Sequence, residues 1–138
     1  DKRREPLGFE QAIDAEPQRL GDALAQLSDG TLERSAAHQH FSYLARGRYA
    51  EQLAGWFAEY PREQFLILKF EDLARDPLGA LNTTLGFLDL PTATKVSLEA
   101  RNTRKYPPMA EATAARLREY FAPHNRQLES LLGRPMGW

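Results

Sequence analysis

Apolar residues recur on a helical period through the middle of the chain. Tyr49, Leu53, Trp56, Phe57 and Tyr60 fall at i, i+4, i+7, i+8 and i+11, which predicts a helix beginning near Gly47. Aromatic residues at that spacing more often pack than bind, so they are read as a core face, with Arg48 exposed at the helix start. Pro61 stops this helix, since proline lacks an N–H and disfavours the helical conformation in the residue before it. Phe65-Leu66-Ile67-Leu68 then runs without polar alternation, the pattern of a strand covered on both faces, so 65–70 is expected to be a buried strand. Asp76-Pro77 supplies an N-cap and a first-turn proline. Leu78, Leu81, Leu85 and Leu88 continue a helix over 77–88. This αβα order predicts an α/β domain, heavily helical, with one recognisable strand.

The flanks are helical too. Residues 6–16 form a short helix with Phe9, Ala12 and Ile13 inward and Pro17 closing it, and 17–28 present Leu20, Leu24 and Leu27. Residues 31–46 are read as helix or loop, and 92–100 as a short helix. A helix over 110–121 carries Leu117, Tyr120 and Phe121. Pro123 is read as the first position of a last helix, with Gly133 just past its end.

Composition narrows the function. The chain has 138 residues, enough for one domain with a single core, and 42% apolar content is ordinary for a globular protein. A net charge of −1 gives no bulk basis for binding nucleic acid or an anionic membrane. The absence of cysteine removes disulfides and thiolate-held zinc and fits a reducing compartment, so a cytoplasmic location is expected. No apolar run approaches the ~20 residues that span a bilayer. The opening DKRREP reads as mid-protein sequence.

The richest chemistry lies in Arg101-Asn102-Thr103-Arg104-Lys105-Tyr106, where three cations sit beside an aromatic ring and the rigid Pro107-Pro108. Guanidinium groups offer paired donors to phosphate oxygens and an ammonium adds a point charge, so this loop could clamp a phosphate; the plainer alternative is a solvated loop. His38 and His40 stand at i, i+2 without a third ligand nearby, and no metal is expected. Glu71-Asp72 could serve as acid and base beyond a strand, or hold the strand–helix corner. The second reading is preferred. His124 is expected on the surface.

These motifs resemble the second half of the sulfotransferase domain, in its bacterial and heparan-sulfate-type branch. The resemblance rests on G-x-Y-x-x-x-L-x-x-W (47–56), F-E-D-L-x-x-D-P (70–77), G-F-L (86–88), F-x-P-x-N (121–125), L-x-x-L-x-G (128–133) and the terminal Trp138. It covers residues 40–138, and 6–20 more weakly. It implies a P-loop-like three-layer fold of which 1–138 form the C-terminal portion. The implied activity is sulfuryl transfer from 3′-phosphoadenosine-5′-phosphosulfate to a hydroxyl or amine, with no metal and a small-molecule, saccharide or polyketide-type acceptor. In that branch a loop ending K-G-R-x-Y-P covers the donor. Arg104, Tyr106 and Pro107 match it, while Thr103 and Asn102 replace the glycine and lysine. The resemblance thus implies donor contacts for Arg104, Lys105 and Tyr106, with Arg101 and Asn102 close by. The family's phosphosulfate loop and catalytic base have no counterpart in these residues; the missing N-terminal part of the domain is the expected partner. The other function class is a non-catalytic helical module that pairs with another chain.

Overall fold

The computed structural model describes residues 5–97 and 107–138. Its helices are α1 (Phe9–Leu20), α2 (Ala23–Ser28), α3 (Ala36–Phe41), α4 (Tyr49–Glu59), α5 (Phe70–Arg75), α6 (Pro77–Phe87) and α7 (Glu111–Leu132), with single 3-10 turns at Ala45–Gly47 and Arg62–Gln64. Among the described residues there is no strand. The chain forms two compact units: Asp1–Gln52 with Met109–Arg134, and Leu53–Pro108 with Pro135–Trp138.

The expected α/β class with a buried strand at 65–70 is therefore corrected. Phe65 (φ −117°, ψ 122°) and Lys69 (φ −86°, ψ 136°) are extended, but Phe70 already opens α5. A strand is defined by a paired neighbour about 4.8 Å away, and the described residues contain no second strand to pair with this one. Leu68 is 45% exposed and Phe70 76% exposed, the opposite of a run covered on both faces. Four consecutive apolar residues carry no period, so the pattern could not separate strand from irregular chain.

In the first unit α1 and α2 pack on α3. Ala12, Ile13 and Leu20 of α1 are buried there, as are Ala50 and Leu128. Phe9, expected inward, is half exposed. Helix α1 runs through Pro17 to Leu20 although Pro17 cannot donate a helical hydrogen bond. Pro123 likewise lies inside α7 and does not begin a new helix. Gly133 closes α7 in the left-handed conformation (φ 66°, ψ 22°), as its position after the last leucine predicts.

In the second unit α5 packs on α6. The Asp76 carboxylate accepts from the Gly79 N–H at 2.9 Å and caps α6, with Pro77 in its first turn, as the Asp-Pro pair predicts. Residues 91–97 contain no helix, and the rest of the helix expected over 92–100 lies outside the described residues.

Candidate functional site

The cation-bearing stretch Arg101, Asn102, Arg104, Lys105 and Tyr106 lies outside the described residues. Its approach is described. Asn82 of α6 clamps the backbone of Ala93 at both polar groups: the Ala93 N–H donates to Oδ1 at 2.7 Å, and Nδ2 donates to the Ala93 carbonyl at 3.1 Å. One side-chain amide thus replaces the pairing a sheet would give and fixes the path of the chain after α6. In the same unit Lys69 Nζ donates to the carbonyl of Met136, a residue 2% exposed, tying the 135–138 segment to the extended stretch before α5.

Three polar clusters order the first unit. Glu16 on α1 is 4% exposed, and its two oxygens accept from the N–H groups of Leu44 (2.6 Å) and Ala45 (2.8 Å). A buried carboxylate so satisfied caps the 3-10 turn that leads into α4. Glu5 binds Arg19 Nη1 at 2.5 Å, the Tyr43 hydroxyl, and the Leu7 N–H at 2.9 Å. Arg19 foremost, then Tyr43 and the Leu7 amide, hold the Glu5 carboxyl down at about 2. Burial, with the Glu5 hydrogen bond second, pushes the Tyr43 hydroxyl up. The Arg19 guanidinium also lies 4.5 Å from the centre of the Phe41 ring.

The third cluster surrounds Glu51 in the first turn of α4. Arg48 Nη1 lies 3.4 Å from its Oε1 and His124 Nδ1 3.8 Å. His124, expected on the surface, is instead only 20% exposed at its side chain and stacks near Tyr120, with ring centroids 5.3 Å apart. Gly47 is required here, since a Cβ would stand 2.6 Å from the Phe121 ring.

The remaining candidates scatter. His38 and His40 lie on α3, and no group of three or more metal-ligating residues occurs among the described residues. Glu71 and Asp72 begin α5, where Asp72 pairs with Arg75 at 3.3 Å. Leu53 and Phe57 are half-buried, but Tyr49, Trp56 and Tyr60 are 48%, 56% and 49% exposed, so the aromatic face of α4 is not the packed core expected of it. The Glu5–Arg19–Tyr43 and Asn82–Ala93 contacts have no sequence signature: each joins residues far apart in the chain and leaves no local spacing to read.

The sulfotransferase domain family matches residues 20–126. The chain belongs to this family. It is similar to the membrane-associated sulfotransferase kil1 of Dictyostelium discoideum, 31% identical over 109 residues, which cover 79% of this chain and 23% of the relative. Human heparan sulfate glucosamine 3-O-sulfotransferase 6 is 28% identical over 67% of this chain and 34% of its own length. Carbohydrate sulfotransferase 15 of Mus musculus is 34% identical over 62% of this chain and 17% of its own. The chain thus spans about a quarter to a third of the first relatives it matches. No solved structure matches it. Among the described residues no helix is long and apolar enough to cross a membrane.

Proposed function

We propose that this chain supplies the C-terminal, nucleotide-covering part of a sulfotransferase that uses 3′-phosphoadenosine-5′-phosphosulfate. The observation that carries the reading is the family match over 20–126, a range that includes Arg104 and Tyr106. In the reaction an acceptor hydroxyl or amine attacks the sulfur, and the bond from sulfur to the 5′-phosphate oxygen breaks. The acceptor proton goes to a base, which none of these residues is assigned to be. Charge builds on the sulfuryl oxygens and the leaving phosphate, so positioned cations stabilise the transition state. Arg104 and Lys105 are assigned that contact with the donor, Tyr106 packs on it, and Arg101 and Asn102 lie near. A saccharide is the favoured acceptor, because several relatives are named for heparan sulfate or carbohydrate. The partner in this reading is the N-terminal, donor-binding part of the same domain, and no metal takes part. A cytoplasmic location rests on composition alone.

Calorimetry with 3′-phosphoadenosine 5′-phosphate, on the polypeptide extended N-terminally along its reading frame, tests the assignment. Arg104→Ala removes one or two charge-assisted hydrogen bonds of ~1.5–3 kcal/mol each, an affinity loss of about tenfold or more. Unchanged affinity would take Arg104 out of the site. The second reading, a non-catalytic module that pairs with another chain, is favoured by the exposed apolar side chains of α4 and α5, and absence of any nucleotide binding would select it.

A further inference from the structure

Asn82 stands in the middle of α6, where asparagine is a poor helix former because its amide competes for backbone groups. Its neighbours show the ordinary outcome: the Thr83 and Thr84 hydroxyls donate back to the Gly79 and Ala80 carbonyls, both at 2.9 Å. The Asn82 amide instead reaches out of the helix to Ala93, eleven residues on, and meets both of its backbone polar groups, at 2.7 and 3.1 Å. One bond would fix a point on the chain; two bonds to the same residue fix its direction as well.

The chain between Asn82 and Ala93 is constrained further. Asp89 takes the left-handed conformation (φ 54°), which few side chains adopt and aspartate tolerates. The Leu90 N–H donates back to the Leu85 carbonyl at 2.9 Å, and Pro91 fixes the next φ. Residues 88–93 therefore leave α6 on one defined course. Arg101, Arg104 and Lys105 follow Ala93 by eight to twelve residues. We propose that Asn82 is a positioning residue for the sulfuryl donor: through Ala93 it sets the course on which the chain enters the stretch bearing those cations. The inference rests on the proposed function for the identity of the ligand. Released from the clamp, residues 88–97 gain alternative paths that nucleotide binding must then remove. Loss of the clamp therefore weakens donor binding without altering any group assigned to touch the donor.

Calorimetry with 3′-phosphoadenosine 5′-phosphate, on the polypeptide extended N-terminally along its reading frame, compares wild type, Asn82→Leu and Asn82→Asp. Leucine keeps the bulk and removes both bonds; aspartate keeps an acceptor for the Ala93 N–H and carries the comparison if the leucine variant does not fold. A several-fold rise in Kd is expected for Asn82→Leu and a smaller one for Asn82→Asp, with faster hydrogen exchange at the Ala93 amide in Asn82→Leu. In an Arg104→Ala background, Asn82→Leu should cost less affinity than it does alone, because the clamp acts through the cations it positions. A purely structural Asn82 would lower the melting temperature and leave Kd unchanged, and that result would overturn the proposal. So would an equal Asn82→Leu effect with and without Arg104, or an Ala93 amide already unprotected in the wild type. Absence of nucleotide binding by the wild type sinks the donor reading and this role with it. Wild-type binding with an unchanged Kd in Asn82→Leu sinks the positioning role alone.

Discussion

Glu5 receives four donors, two from Arg19, one from Tyr43 and one from the Leu7 amide, and every one of them favours its charged form. Its folded-state value of about 2 lies below the ordinary 4.5, so the contact stabilises the fold fully above pH 4.5 and is lost as pH falls towards 2. Glu5→Gln should flatten the pH dependence of thermal unfolding in that window while leaving the slope above it unchanged; an unaltered acid limb would show that the contact does not hold in solution. Residues whose role is set by near neighbours were legible in the sequence, and Asp76 before Pro77 and Gly133 after Leu132 took the places their chemistry requires. Tyr43 lies 38 residues from Glu5, and Ala45 lies 29 from Glu16, so no local rule could find those partners. The donor contact expected of Tyr106 and its neighbours rests on residue type and family resemblance, which carry no position in space.

Helix α6 shows how far one element can be read from its own residues. The cap, the first-turn proline and the leucine spacing all agree, and the observed span Pro77–Phe87 matches the expected 77–88 within a residue. Removing the cap with Asp76→Ala should cost about 1 kcal/mol, measured by urea unfolding, because the Gly79 N–H loses its acceptor. No change in midpoint would mean that water replaces the carboxylate at no cost. Proline misled elsewhere in the chain. Pro17 and Pro123 have the local signature of boundaries, yet α1 and α7 pass through both, since packing of the turns on either side outweighs one absent hydrogen bond. The 65–70 run misled in the other direction: its composition suits a strand, but strand identity belongs to a pair of segments and not to either one.

At the scale of the molecule, the chain forms two compact units, each ordered by contacts between residues far apart in sequence. The amino-acid sequence by itself determined family membership and the helical segments with clear period or caps, because these depend on residue type and short spacing. Tertiary structure alone decided that 65–69 is not a strand, that Glu5 and Glu16 are fastened across tens of residues, and that Trp56 on α4 is half exposed. Those outcomes depend on which segments come together in space, and that is a property of the packed chain as a whole.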